Sequence, residues 1–326
     1  MEQLPFIDWD SAAGFARKAV HPGPELGPGQ IAEVVDALRT AAGRATAHVA
    51  EVSGMPTPAE AETLVVDRAG WVSAMAGSAR SLLAELGAPT TPASSVDQVR
   101  GRVLGLQAGG AFAAIATRIL GQFDPFGQPN RLLLVAPNVV MIERQLGVIP
   151  ADFRLWVCLH EQTHRLQFGQ APWLRAHLLG LVSELLTVTE PLQQWRAGNR
   201  PHSIAELVIS PAQQGTFDQV TAIMTLVEGH ADVMMDRVGT GVVPSLVSIR
   251  RGFEDHRDRG GWSALLGRLL GADLKRAQYR DGAAFCRAVL SKGGLDVLNL
   301  AFSEPSLLPS LTEVHDPEQW LHRVAG

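Results

Sequence analysis

The sequence predicts a mainly α chain with a small β element. Apolar and small residues recur at helical spacing through most of its length. One short continuous apolar run, RLLLVAP at 131–137, is flanked by proline and asparagine on both sides, as a strand between turns would be. Glycine and proline punctuate the second half at 169–172, 198–201, 239–244 and 260–261, which cuts it into helix-sized pieces.

Taken in order, the first helix of substance is expected over 31–52. Ile31, Val34, Val35, Leu38, Ala41 and Ala42 share one face there, and Pro24, Gly27 and Pro28 mark its start. Val65 and Val66 read as a short connector into a helix over 71–86, which Gly87 and Pro89 end. Residues 87–97 read as a loop. A helix over 99–120 is weakened by Gly101, Gly105, Gly109 and Gly110. These small residues suit a close helix–helix approach. They do not form a phosphate loop, because no strand–glycine–lysine pattern surrounds them. Phe123, Pro125 and Phe126 read as a loop anchored in the core. A lobe boundary falls near 148, giving a mostly helical lobe over 1–147, with its strand near 131–137, and a helical metal-site lobe over 148–326; one continuous domain is the alternative. No internal repeat or low-complexity tract is present.

Composition narrows the function. At 326 residues with 46% hydrophobic and 19% charged residues, the chain can bury a large core or form two lobes around a cleft. Net charge is -5, with no basic block, which argues against a nucleic-acid partner. Cys158 and Cys286 are far apart and read as buried free thiols in a reducing compartment. The first residues lack the basic-then-apolar pattern of a secretory signal, and the apolar stretches are too short to span a bilayer. The expectation is a cytoplasmic protein with no membrane partner. Nothing in the sequence sets the oligomeric state.

The chemistry concentrates at 160–164, which reads His-Glu-Gln-Thr-His. On a helix, positions i and i+4 share a face, so His160 and His164 can grip one ion, and Glu161 stands beside the first ligand. Pro150 before the motif, periodic apolar residues over 153–168 and Gly169 at the expected C-cap all support a helix. Two imidazoles and a carboxylate suit Zn²⁺ with one position left for water. Glu161 is then the candidate general base.

The third ligand must come from elsewhere. A metzincin would need glycine at 167 and histidine at 170, and this chain has Gln167 and Gln170. Glu228 is the best candidate, on a helix expected over 217–238 with Val220, Met224, Val227, Ala231 and Met235 as its apolar stripe. Asp232 lies one turn on, on the same face, placed to accept the free N–H of a ligand histidine from outside the coordination shell. His230 is the rival ligand, but it lies about 200° around the helix from Glu228. His177, His202, Glu184 and Glu190 are weaker rivals. Two acids on a solvated face are the plain alternative for Glu228 and Asp232. Tyr279, the sole tyrosine, is a candidate hydrogen-bond donor to an oxyanion, or a buried structural residue. The strand over 132–136 reads either as an edge that pairs with extended peptide or as a core strand.

Several stretches together give the chain a family look: Ile7-Asp-Trp9, Pro22-Gly-Pro24, the segment from Val65 through Asp67 and Arg68 to Trp71, Phe123-Asp-Pro-Phe126, the segment from Leu132 to Asn138, the metal motif with Arg165, Pro172-Trp-Leu-Arg175, Glu228-Gly-His-Ala-Asp232, and Gln278-Tyr279 with Gly282. The chain resembles the actinobacterial zincin-like hydrolases, in the branch associated with biosynthesis of the deazaflavin coenzyme. Ala69 and Met75 depart from the pattern, where proline and asparagine are expected, away from the metal motif. The resemblance implies a zincin-like fold with an active-site helix, a helical second lobe and a gluzincin-like zinc site. It implies a substrate far less well, and nothing in the sequence reads as a deazaflavin pocket. The leading expectation is a zinc-dependent, metallopeptidase-like hydrolase acting on a peptide or small amide. The alternative is a non-catalytic metal-binding scaffold or interaction protein of the same fold.

Overall fold

The structure, a computed structural model, describes residues 4–58, 61–186, 213–258 and 272–325; the side chains of 253–258, 272–279 and 325 are not described. Helices dominate, as the sequence predicts. In chain order they are α1 (Trp9–Ala19), α2 (Pro28–Ser53), α3 (Arg68–Glu85), α4 (Ser95–Ala116), α5 (Ala136–Leu146), α6 (Pro150–Gln170), α7 (Trp173–Leu186), α8 (Gln214–Val238), α9 (Leu246–Asp258) and α10 (Ala272–Asn299), then two short helices, α11 (Leu311–His315) and α12 (Pro317–Ala325). Three short strands, β1 (Glu62–Val66), β2 (Gly121–Asp124) and β3 (Arg131–Val135), make one sheet in the order β1-β3-β2.

The apolar run forms β3, and it is the central strand. It pairs parallel with β1, Glu62 opposite Arg131, and antiparallel with β2, Gly121 opposite Leu134. Leu132 and Leu134 face the main core, whereas Leu133 and Val135 face a second cluster with Ala16, Trp71, Val72, Met75 and Ala116. Burial on both faces explains why the run is continuously apolar rather than alternating. It also excludes β3 as an edge, and that position belongs to β2 and β1.

Three local expectations change. Val65 and Val66 are not a connector but the end of β1, paired with Leu134 and Val135. Phe123 belongs to a strand rather than a loop. Helix α6 runs through Gly169 and ends with Ala171 as its cap.

Several contacts fix β2. Trp71 Nε1 donates to Gln122 Oε1 at 3.0 Å. The Phe123 and Phe168 rings lie 5.8 Å apart, which lays the strand on α6. After the strand, buried Asp124 accepts from Ser78 Oγ at 2.6 Å, from Arg131 Nε at 3.2 Å and from the backbone N–H of Phe126 and Gly127. A buried carboxylate needs such partners, and these tie the β2–β3 connection to α3.

Helix α6 is buried almost all round, from Phe153 to Gln167. Three of its buried polar side chains reach backbone carbonyls. Gln162 Nε2 donates to Ala42 O at 3.0 Å, Thr163 Oγ1 to Leu159 O at 2.7 Å and Arg165 Nη2 to Pro58 O at 3.1 Å. Small residues on the facing side of α2, Ala41, Ala42 and Ala45, are buried there. On the other side of the site, α8 crosses α10 at Gly229 and Gly282. A Cβ on Gly229 would come 2.1 Å from the Gly282 carbonyl carbon, and one on Gly282 would come 2.1 Å from Thr225 O. Glycine at both positions lets the backbones touch, and that seats α8 one residue from Glu228. The α8 face is wider than the expected stripe: Thr221, Ile223, Leu226 and Met234 are buried too, while Met224 is 43% exposed.

Candidate metal centre

The i and i+4 spacing on α6 brings the two imidazoles together. His160 Nε2 and His164 Nε2 are 3.1 Å apart. From α8, Glu228 Oε2 stands 3.4 Å from His160 Nε2 and 3.7 Å from His164 Nε2. The three are the group among the described residues whose ligand atoms converge as a metal site requires. Ligand bonds of about 2.0–2.2 Å in a tetrahedron place neighbouring ligand atoms about 3.3–3.6 Å apart. The separations of 3.1, 3.4 and 3.7 Å bracket that range. Two nitrogens with a carboxylate also match the donor set of a zinc site that keeps a position open. The residues therefore fit the ion.

The electrostatics agree. Burial alone would lower the His160 pKa, but the Glu228 carboxylate beside it, with Glu161 and Asp232 nearby, outweighs that and holds it at about 9. The pocket thus favours a positive charge at the place where the ligand atoms meet. Glu161 is buried, and burial, the largest influence, pushes its carboxyl above the ordinary carboxylate range while His160 and His164 pull it back. A raised pKa makes a carboxylate a better proton acceptor.

Glu161 also touches the edge strand. Its Oε2 accepts the backbone N–H of Phe123 at 3.0 Å. A Cβ on Gly121 would lie 2.6 Å from Glu161 Cγ, so only glycine allows β2 to come this close. Sequence reading missed Gly121 and the Phe123 backbone. The available signal was the glycine that opens a short segment just before the strand at 131.

Asp232 lies one turn beyond Glu228, and its field raises the His160 pKa. Its hydrogen bonds go to Arg250 Nη1 at 2.8 Å and Arg287 Nη2 at 3.3 Å. The hydrogen bond to His164 Nδ1 is made instead by Gln167, whose Oε1 is 2.9 Å away. Gln167 was visible in the sequence as a departure from the metzincin pattern, and its place one turn after His164 was the signal of its contact. His230 is fully buried and points into the core, its ring 5.0 Å from that of Phe302. Burial, with His164 and Arg237 nearby, lowers its pKa to about 3, so it stays neutral. His177 stacks edge-on against Trp173, and Glu184 accepts from Thr216 Oγ1 at 3.0 Å. Tyr279 lies on α10, but its side chain is outside the described residues, as are Glu190 and His202.

A buried helix carrying His-Glu-x-x-His, a glutamate from a later helix and a short sheet whose edge strand meets the motif define a zincin-type architecture. The chain belongs to the zincin-like metallopeptidase family, whose model matches residues 7–321. It is similar to a protein from Chloroflexus aurantiacus whose crystal structure is described as "a putative hydrolase with a novel fold", with 27% identity, a TM-score of 0.72, and coverage of 98% of this chain and 99% of that one. No curated protein matches the chain. Among the described residues, no helix is long and apolar enough to cross a membrane.

Proposed function

We propose that the protein is a zinc-dependent hydrolase of peptide or amide bonds, with His160, His164 and Glu228 as metal ligands and Glu161 as general base. The observation that carries this reading is the convergence of those three ligand atoms next to a buried carboxylate whose one oxygen is already held by the Phe123 N–H. Zinc bound there supplies Lewis acidity, which activates water and polarises the carbonyl of the substrate. The chain's own residues do the rest. Glu161 Oε2 is anchored, so Oε1 is the oxygen that takes the proton from water and passes it to the leaving nitrogen. Burial around α6 keeps bulk water from competing for that proton. The Asp232 carboxylate adds negative charge near His160, which favours a cation at the metal position. Tyr279 remains the candidate donor to the developing oxyanion. Membership of a metallopeptidase-like family favours a hydrolase over a scaffold, and so does the description of the Chloroflexus aurantiacus protein as a hydrolase. Glu161 points the same way, since a structural metal site has no use for a base. We place this activity in the cytoplasm.

Metal analysis of the full chain purified without added metal, beside His160→Ala, tests the ligand assignment, with a peptide library as the activity assay. About one zinc per wild-type chain, lost in the variant, is expected. Equal zinc in both would overturn the site. A loaded wild type that cleaves nothing and shows its remaining coordination position closed by a protein side chain would favour the scaffold reading.

A further inference from the structure

We propose that Gln167 is a positioning residue that fixes which nitrogen of His164 carries the proton, and that His230 is present to lock Gln167 rather than to bind the ion. This rests on the reading of His160, His164 and Glu228 as ligands.

The donors and acceptors around Gln167 can be matched in one way only. Gln167 is fully buried. One end of its amide lies 2.9 Å from Val227 O. A carbonyl only accepts, so that end is the nitrogen, and the orientation of the amide is settled. The oxygen end then lies 2.9 Å from His164 Nδ1. An amide oxygen only accepts, so His164 carries its proton on Nδ1. Its Nε2 is left with a free lone pair, and that atom faces His160 Nε2 and Glu228 Oε2. The second N–H of the same amide reaches His230 Nδ1 at 2.9 Å. That nitrogen must accept, so His230 carries its proton on Nε2. The buried His230 Nε2 has no hydrogen-bond partner among the described residues, and the ring lies edge-on to Phe302.

His230 therefore has a role that explains a buried histidine at this position: its Nδ1 is the acceptor for the second Gln167 N–H. An apolar residue at 230 would leave that N–H unmatched in the core and the amide free to turn. A glutamate at 167 could accept from His164 but could not donate to Val227 O or to His230. The amide is the group that satisfies all three, and it ties the ligand helix α6 to the ligand helix α8 behind the metal position. Partners of this kind hold a ligand ring in one orientation and one tautomer.

The test is a long-range ¹H–¹⁵N spectrum of the histidine rings in the full-length labelled chain, metal-free and zinc-loaded, with Gln167→Met as the variant. In metal-free wild type, His164 is expected to be protonated on Nδ1 and not on Nε2; His230 is expected to be protonated on Nε2 in both forms. In Gln167→Met, zinc affinity measured by chelator competition should fall about 10- to 100-fold, and the metal-free His164 ring should become a mixture of tautomers. Wild-type His230 protonated on Nδ1, or a variant with unchanged zinc affinity and unchanged His164 signals, would overturn the inference. If Gln167→Met folds poorly, the wild-type spectrum decides alone. A wild type that takes up no zinc overturns the metal reading, while its metal-free tautomers still decide for or against Gln167.

Discussion

The Phe123 backbone N–H donates to Glu161 Oε2 at 3.0 Å, so the edge of the sheet holds the carboxylate next to the paired imidazoles of α6. A strand edge usually presents unpaired backbone groups to solvent. Here one of them is taken up by a side chain from a helix. Strand and helix are thereby locked to each other where the chemistry is proposed to occur. The contact anchors one oxygen of the carboxylate, which under the proposed mechanism leaves the other to act on water.

That geometry makes Gly121→Ala a sensitive probe. The added methyl would sit 2.6 Å from Glu161 Cγ and 3.1 Å from its Cδ and Oε1, so either the strand or the carboxylate must move. Overpacking of this kind costs about 1–3 kcal/mol. The three proposed ligand atoms lie on α6 and α8 and none belongs to the strand, so zinc content should stay near that of wild type while turnover falls. Wild-type turnover with an unmoved Glu161 in a structure of the variant would refute the role given to the strand.

Glu161→Gln separates the base from the fold. The glutamine oxygen can still accept from Phe123, so folding and metal content should be close to normal. An amide cannot take up the proton from water, and loss of a general base costs about 10²- to 10⁴-fold in rate. Steady-state kinetics on any substrate that the wild type cleaves, together with elemental analysis, check this. A variant that retains full activity would rule out the mechanism.

The parts of this molecule that depend on neighbours in sequence were legible before its structure. His160, Glu161 and His164 are one turn of helix, and Glu228 with Asp232 is another, so their faces follow from helical geometry alone. The central strand was legible because burial on both faces leaves a run of apolar residues. Strand β2 was not. Gly-Gln-Phe-Asp carries little strand signal of its own, and it becomes a strand by pairing with β3 and resting on α6. Val65 and Val66 were too short a run to separate a strand from a connector until Leu134 and Val135 lay beside them. Gln167 could be placed on the helix but not given its partners, since Val227 and His230 arrive from a helix far along the chain.

Acid sensitivity should have a contribution from the C-terminal helices. Arg323 donates to both Glu313 oxygens, at 2.6 and 3.0 Å, and Ser310 N–H donates to Glu313 Oε2 at 2.8 Å. Burial would raise the Glu313 carboxyl, but Arg323 and Ser310 together hold it below its ordinary value of 4.5. With a depressed folded pKa, the unfolded chain binds more protons in the window below that value. The pair's contribution is therefore complete above about 4.5 and is lost as pH falls through the folded pKa. Glu313→Gln should lose about 1–3 kcal/mol at neutral pH and show a flatter fall of stability below about pH 5 than wild type. Urea midpoints across the acid-to-neutral range measure this, and parallel curves for the two proteins would exclude it.

The acids and the histidine of α8 should differ sharply in what their loss does to zinc. Glu228 Oε2 is within 3.7 Å of both imidazole Nε2 atoms. His230 is on the far side of the helix and is hydrogen-bonded to Gln167 rather than to the proposed ligands. Glu228→Ala removes a proposed ligand and also a negative charge beside both imidazoles, so zinc binding should fall severely. Asp232→Asn keeps the shape but removes a charge that acts on His160 and pairs with Arg250 and Arg287. Its zinc affinity should fall less than that of Glu228→Ala, with some loss of stability. His230→Ala leaves every proposed ligand atom in place but frees one Gln167 N–H, so its zinc affinity should stay within about tenfold of wild type, at the weak end of effects from groups behind a metal ligand. Chelator competition on the three variants gives the order directly. An affinity for His230→Ala as low as that of Glu228→Ala, or a structure with the ion on His230 and Glu228 distant, would replace the assignment.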